Sequence, residues 1–293
     1  MTQSSLDTIT AVPRLPVRTP DAHKGTFGRL LVIAGSRGMS GAAVLCGSGG
    51  LRGGAGLVQV AIPGEILSVV AAGNPCYLTA AFAQDMRGRF AAAAVDELVD
   101  LAAGWADVIA VGPGLGLSEA MPVLITSLFD RSTKPLVIDA DGLNALARVP
   151  TDAWRSHQQP IILTPHPGEF ARLIHQSADQ VRANGPALAA KYATENCVVL
   201  VLKGHGTVVT DGRRLYRNTT GNPGMATGGT GDVLTGLIAA LIGQGLEPFE
   251  AAVLGVWAQG RAGDLAAEHL GQTALIATDL LVYLPAALRE AGG

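Results

Sequence analysis

The sequence predicts an α/β protein built on a central, mostly parallel sheet, and three observations lead there. Short runs of Val, Ile and Leu that end in Gly, Pro or Asp are followed repeatedly by longer segments of helical spacing, the alternation of strand and crossover helix. These runs are continuously apolar, as strands covered on both faces must be. Composition agrees: 48% hydrophobic residues but only 4% aromatics, with 38 glycines, describe an aliphatic and alanine core joined by tight backbone turns.

Along the chain, the first strand is expected at Arg29 to Ala34, stopping at Gly35, and a helix at Gly41 to Arg52. Leu57 to Ile62 ends at Pro63 and reads as the second strand, with Ala91 to Ala103 the next helical stretch. Val108 to Val111 runs into Gly112, and Pro122 to Asp130 follows as a helix. Leu136 to Asp139, Ile161 to Leu163 and Val198 to Leu202 supply three more strands, with a helix at Ala187 to Thr194 before the last. Val208 to Thr210 and Arg214 to Arg217 flank Asp211-Gly212, a strong hairpin signal. Thereafter the pattern is helical: Gly231 to Ile242, Pro248 to Ala267 and Thr278 to Leu288.

No linker, composition shift or fixed-period repeat divides the chain, so residues 26–293 are expected to form one domain, with residues 1–25 as an N-terminal arm. Net charge is -3, and no run of Lys or Arg is long enough to track a phosphate backbone, which argues against a nucleic-acid partner. The most apolar helical segment, Val233 to Gly243, falls short of the roughly 20 residues that cross a bilayer. Met1 to Pro20 contains no continuous apolar stretch of the signal-peptide kind. The three cysteines, Cys46, Cys76 and Cys197, are widely spaced among apolar neighbours and read as reduced and mostly buried. A soluble cytoplasmic protein is the expectation.

Ligands of open parallel sheets bind beyond the carboxyl ends of the strands, where glycine loops and helix N-termini present backbone N–H groups. Three glycine clusters stand at such places: Gly35 to Gly38, Gly112-Pro113-Gly114-Leu115-Gly116, and Lys203-Gly204-His205-Gly206-Thr207. The most informative segment is Asn222 to Asp232, which runs directly into a helical pattern. Its Gly228-Gly229-Thr230-Gly231 stretch lets the backbone close around a phosphate, and the helix N-terminus adds partial positive charge. Asp232, in the first turn, would then stand beside the phosphate as a general base or hydroxyl-orienting group. A helix cap by Thr230 or Asp232 is the simpler reading, but capping needs none of this backbone freedom.

Other positions leave alternatives open. Gly112 to Gly116 serves either a ligand or a plain strand-to-helix turn. His166, where prolines pin the chain in an exposed turn at a strand end, is a structural histidine or a ligand contact. Of Asp139 and Asp141, one is expected to cap the next helix and the other to face the cleft. Lys203 neutralises phosphate or is simply solvated. Neither a P-loop nor the dinucleotide-binding glycine spacing occurs, and no histidine has metal-ligand spacing.

Taken together, these segments resemble the ADP-dependent NAD(P)H-hydrate dehydratase family from about His23 to Leu288. The resemblance includes Val32 to Ser36, Ser40-Gly41-Ala42-Ala43, Gly112 to Gly116, Asp139-Ala140-Asp141-x-Leu143-Asn144, Thr164-Pro165-His166-Pro167-Gly168-Glu169, Leu202 to Thr207 and the Asn222 to Asp232 loop. It implies a ribokinase-like three-layer α/β/α fold. It also implies transfer of the β-phosphate of ADP to the hydroxyl of the S epimer of hydrated NADH or NADPH (NADHX, NADPHX), and loss of phosphate then restores the cofactor and leaves AMP. Carried over by residue, Lys203, Gly204, His205, Gly206, Thr207 and Gly231 are nucleotide-binding positions. Ala42, Gly114, His166 and Asp232 contact the hydrated cofactor, with Asp232 activating the hydroxyl. Mg2+ is expected with the nucleotide, its ligands unassigned, and a homotetramer is implied. Many members carry a fused epimerase domain for which this chain is too short, so a separate NAD(P)H-hydrate epimerase is the expected partner.

Two other readings share the glycine loop. A hydroxymethylpyrimidine or hydroxyethylthiazole kinase of the same fold would also need Asp232, although the segments Thr164 to Glu169 and Lys24 to Gly28 argue against it. A nucleotide-sensing module that lost its chemistry would not need that carboxylate.

Overall fold

A computed structural model describes residues 6–292. Ten strands form one sheet in the order β1-β10-β9-β8-β7-β6-β5-β2-β3-β4. They are β1 (Asp7–Ile9), β2 (Arg29–Ile33), β3 (Leu57–Pro63), β4 (Leu78–Phe82), β5 (Val108–Val111), β6 (Leu136–Ile138), β7 (Ile161–Leu163), β8 (Val199–Leu202), β9 (Val208–Thr210) and β10 (Arg214–Arg217). Only the β8–β9 and β9–β10 pairings are antiparallel; the rest are parallel. The chain therefore folds straight back twice among the described residues, through segment 203–207 and at the Asp211-Gly212 hairpin, where Gly212 at φ 88° supplies a turn that other residues resist.

Helices cover both faces. On one lie α1 (Ser40–Arg52), α2 (Leu67–Gly73), α8 (Thr230–Gly243), α9 (Pro248–Leu270) and α10 (Ala277–Glu290). On the other lie α3 (Val95–Trp105), α4 (Ala120–Arg131), α5 (Ala140–Leu146), α6 (Pro167–Leu173) and α7 (Ala178–Asn196). Side chains alternate along each strand, so Leu30 and Val32 feed the first core while Leu31 and Ile33 feed the second. The three-layer α/β/α architecture is the expected one.

Several local expectations are corrected. The segment assigned to the arm contributes an edge strand, β1, parallel to β10 from Asp7↔Arg214 to Ile9↔Tyr216, although Met1 to Ser5 lie outside the described residues. Strand β4 and helix α2 escaped the apolar pattern. Helix α7 starts nine residues before Ala187, because Asn184 breaks its backbone (φ -132°) and lets Pro186 begin a second helical run. Of the cysteines only Cys46 is buried; Cys76 and Cys197 are exposed, with Cys197 in the left-handed region at the end of α7.

Strand order fixes where a cleft can open. From β2 the chain steps outward to β3 and β4, then returns to β5 on the other side of β2 and continues outward through β6, β7 and β8. The loops after β2 and β5 therefore diverge to opposite faces, the switch point at which such sheets bind ligands. The same packing draws α8 to this point. A Cβ on Gly236 would stand 1.9 Å from the Cys46 carbonyl oxygen, and one on Gly49 2.5 Å from that of Val233, so α1 and α8 meet backbone to backbone.

Candidate active site

The glycine loops converge at the carboxyl ends of the strands. After β2 and β5, the Gly35 N–H donates to the Pro113 carbonyl (2.8 Å) and the Ser36 hydroxyl to that of Gly114 (2.8 Å), which ties the two diverging loops together. Gly112 (φ 131°), Gly114 (φ 62°) and Gly116 (φ 70°) trace a path that side chains would resist. Gly114 also lies directly against α1, where a Cβ would come within 2.8 Å of the Ala42 methyl. Ala42 and Gly114 are thus brought together, as the sequence anticipates.

The loop before α8 is anchored from outside. Asp264 on α9 accepts from the Gly221 amide (2.9 Å) and the Asn222 side chain (3.0 Å), and Gln259 donates to the Thr230 carbonyl (2.5 Å). Gly228 faces open space, and Gly229 (φ 92°) turns the chain into the helix. The Thr230 hydroxyl donates back to the Thr227 carbonyl (3.2 Å), so it does not cap the first turn. The amides at the start of α8 and the side chain of Asp232 remain available to a ligand.

Beneath Asp232 lies a polar network. Asp139, at the end of β6 and 1% exposed, accepts from Lys203 Nζ (2.7 Å) and from the Thr235 hydroxyl of α8 (2.7 Å). Lys203 Nζ also stands 3.9 Å from Glu169, which accepts from the His166 amide (2.8 Å). Burial pushes the Asp139 carboxyl up, but Lys203 and the hydroxyls of Thr235 and Thr164 outweigh it and hold the group below its ordinary range. Burial works to lower the Lys203 ammonium and its carboxylate neighbours overcome this, so it stays charged. Asp232 has no such partner. Burial first, and then the negative charge of Asp139, push its carboxyl up to about 7, with Lys203 opposing.

These contacts bear on three open alternatives. Lys203 is not a freely solvated lysine: its ammonium lies 2.7 Å from Asp139 and 3.9 Å from Glu169. Neither Asp139 nor Asp141 caps α5; Asp139 is the buried ion-pair partner, and Asp141 accepts from the Gly116 amide (2.8 Å) and Asn144 (3.2 Å). His166 does not sit in a simple exposed turn. It caps α6, with Nδ1 accepting from the amides of Gly168 (2.9 Å) and Glu169 (3.4 Å), while Pro167 takes the first helical position. Its ring stays half exposed toward the site, with Nε2 3.4 Å from Glu169.

Around Lys203, Gly204 and His205 are exposed, and the Thr207 hydroxyl closes the turn by donating to the Gly204 carbonyl (3.0 Å) and accepting from its amide (3.2 Å). This turn meets α8 at Gly231, where a Cβ would stand 3.2 Å from Lys203 Nζ. Segment 203–207 and residues 228–231 thus face one another across a lysine. Sequence reading missed Thr235, Gln259 and Asp264, and had Glu169 only as the end of the Thr164 to Glu169 motif. Thr235 and Gln259 are ordinary helix residues in sequence, and only their tertiary neighbours distinguish them.

The chain is similar to known proteins along most of its length. A family model described as NAD(P)H-hydrate dehydratase matches residues 30–286. The chain is 45% identical over 279 residues to a bifunctional NAD(P)H-hydrate repair enzyme of Moorella thermoacetica, covering 94% of this chain and 52% of that protein. It is 39% identical over 262 residues to an ADP-dependent (S)-NAD(P)H-hydrate dehydratase of Neisseria meningitidis, covering 87% of this chain and 82% of the relative. The chain thus spans about half the length of the bifunctional relatives it matches. Among solved structures, an ADP/ATP-dependent NAD(P)H-hydrate dehydratase of Bacillus subtilis, co-crystallised with ATP and Mg2+, superposes with a TM-score of 0.82 at 29% identity, covering 95% of each chain. A hydroxyethylthiazole kinase of Pyrococcus horikoshii shares the fold alone, at a TM-score of 0.58 and 18% identity. The chain belongs to the NAD(P)H-hydrate dehydratase family and has its ribokinase-like fold.

Proposed function

We propose that the protein restores NADH and NADPH from the S epimer of their hydrates, using ADP and releasing AMP and phosphate. The observation that carries this reading is the place of Asp232: in the first turn of α8, beside an uncapped glycine hollow, with a carboxyl pushed up to about 7. A carboxylate so poised accepts a proton near neutral pH, where an ordinary aspartate is too weak a base.

The hydrate's hydroxyl gives its proton to Asp232 as its oxygen attacks the β-phosphorus of ADP. The bond from that phosphorus to the bridging oxygen breaks and AMP leaves. The ring carbon now bears a phosphate, a far better leaving group than hydroxide. Its departure, followed by loss of a proton from the neighbouring carbon, regenerates the reduced nicotinamide. Gly228, Gly229, Thr230 and Gly231 hold the transferred phosphoryl through amides at the helix N-terminus, a preorganised anion site. Lys203, Gly204, His205, Gly206 and Thr207 line the nucleotide, chiefly through backbone groups, since the lysine charge is already engaged. Ala42, Gly114 and His166 border the hydrated nicotinamide.

Mg2+ fits this arrangement as a phosphate-bound ion. No three His, Cys, Asp or Glu side chains are grouped to hold a metal among the described residues, so nucleotide oxygens and water would supply most of its ligands. Bound there, it would neutralise developing phosphate charge.

The proposal extends to a single domain over residues 26–293, a cytoplasmic location, an NAD(P)H-hydrate epimerase as functional partner and a homotetrameric assembly. Exposed apolar side chains at Val69, Leu78, Ile276 and Val282 offer surface for self-association. Adding ADP, and separately ATP, to hydrated NADH with the purified protein tests the reading: NADH absorbance returns with equimolar phosphate. A stable phosphorylated product without phosphate release would instead make it a small-molecule kinase.

A further inference from the structure

We propose that Asp139 and Lys203 form a positioning pair for Asp232: their buried ion pair, tied through Thr235 to the first turn of α8, fixes that turn and tunes the charge around its carboxylate. The inference rests on the reading of Asp232 as the group that activates the hydroxyl.

The pair is held from several sides. Both Asp139 oxygens are engaged, Oδ1 by Lys203 (2.7 Å) and Oδ2 by Thr235 (2.7 Å). The same Thr235 oxygen stands 3.1 Å from the Gly231 carbonyl one helical turn back, its single proton shared between the two acceptors, which joins Asp139 to the peptide just before Asp232. Behind Asp139 the backbone is wedged: a Cβ on Gly112 would stand 1.8 Å from the Asp139 carbonyl oxygen, and the next residue, Ala140, sits at φ 47° in the left-handed region. In front, a Cβ on Gly231 would stand 3.2 Å from Lys203 Nζ and 3.5 Å from Asp139 Oδ2. The pair therefore lies flush against the turn that carries Asp232.

Stability alone does not account for it. Buried ion pairs contribute little over a well-packed apolar pair of similar volume, because desolvation offsets the attraction. Their charge does matter to an unpaired neighbour. Facing Asp232 are Asp139 from the end of β6, Asp141 from α5, Glu169 from α6, Lys203 from the end of β8 and the Cys46 thiol from α1. After burial, Asp139 is the largest influence raising the Asp232 carboxyl, and Lys203 is the one that lowers it. The two halves of the pair thus act on Asp232 with opposite sign. Any merely structural role would disturb the site in one direction whichever half is removed.

The test measures the Asp232 titration directly, by infrared difference spectra of carboxyl-labelled protein against Asp232→Asn, together with the pH profile of kcat. Asp139→Asn should move the Asp232 midpoint to lower pH and Lys203→Met to higher pH, each by about one unit, a tenfold change in proton affinity. The double variant should fall between them. If Lys203→Met fails to fold by circular dichroism, Lys203→Arg should keep the wild-type midpoint and Lys203→Gln should raise it. Shifts in the same direction, or none, overturn the proposal. A midpoint that moves as stated while the kcat profile stays put retires Asp232 as the activating group and leaves the pairing intact.

Discussion

On the proposed reading Asp232 carries the chemistry because it has no direct ion-pair partner of its own and burial pushes its carboxyl up to about 7. Asp232→Asn keeps its shape but removes proton acceptance, so turnover should fall between about a hundredfold and ten-thousandfold, while ADP affinity changes little. Near-normal kcat in this variant would remove the residue from the mechanism. The same substitution has a stability signature with a definite sign. In the unfolded chain the carboxyl ionises near pH 4, roughly its model-peptide range, whereas in the folded protein it is pushed up to about 7. Below that window both states are protonated and the group is neutral to stability. Across it the unfolded state sheds the proton first, so folding stability falls as pH rises, and the cost is complete above the folded value. Asp232→Asn should therefore be more stable than the parent at pH 8, by about 2 kcal/mol after allowance for solvent screening, and equal to it at about pH 3, below both values. Urea titrations at the two pH values check this. At this scale the juxtaposition of Asp232 with its glycines was legible, because they are neighbours in the chain. The Asp139–Lys203 pair was not, because its members stand 64 residues apart and meet only through the order of β6, β7 and β8.

Helices α1 and α8 hold the site in register, and glycines make their contact possible. Gly236→Ala would drive a methyl to within 1.9 Å of the Cys46 carbonyl oxygen, a backbone atom that cannot rotate away. The variant should lose at least about 3 kcal/mol, the upper range for overpacked cores, and lose turnover with it as the first turn of α8 shifts. Gly245→Ala serves as the control: no atom lies within 4 Å of its Cβ, so only the strain of its φ, 96°, is felt. A Gly236→Ala protein with unchanged melting temperature would refute the close approach. Long or strongly patterned elements were readable for the same physical reason that they are stable. Leu57–Pro63 and Thr230–Gly243 carry enough apolar residues to announce both type and extent. The elements that escaped notice are short or mixed, among them Asp7–Ile9 with three residues, Leu67–Gly73 with seven, Leu78–Phe82, an edge strand containing two alanines, and Pro167–Leu173, two turns introduced by a proline-flanked histidine. Their structure comes from pairing and capping partners remote in sequence, and propensity alone does not supply it.

The whole molecule joins two separate cores, one on each face of the sheet, and the candidate site is where both reach the surface. The α8 helix belongs to the first core, whereas α5 and α6, which carry Asp141, His166 and Glu169, belong to the second. Lys203 and Asp139 bridge them at the strand ends. A nucleotide bound between segment 203–207 and the start of α8 would therefore clamp the sheet's end loops to one helical layer, and its binding energy would oppose unfolding of the entire unit. ADP at a hundred times its dissociation constant should add about 2.7 kcal/mol to stability. For a domain of this size that corresponds to a rise in Tm of about 5–10 °C. If Asp232 acts on the acceptor hydroxyl and not on the nucleotide, as proposed, Asp232→Asn should show the full rise. Substituting the turn, as in Gly204→Val with Gly206→Val, should abolish it; both glycines have positive φ (159° and 68°), so the ligand-free Tm falls as well and the ADP-induced rise is read against each protein's own ligand-free value. A thermal shift with ADP that survives in the turn variant would place the nucleotide elsewhere on the molecule.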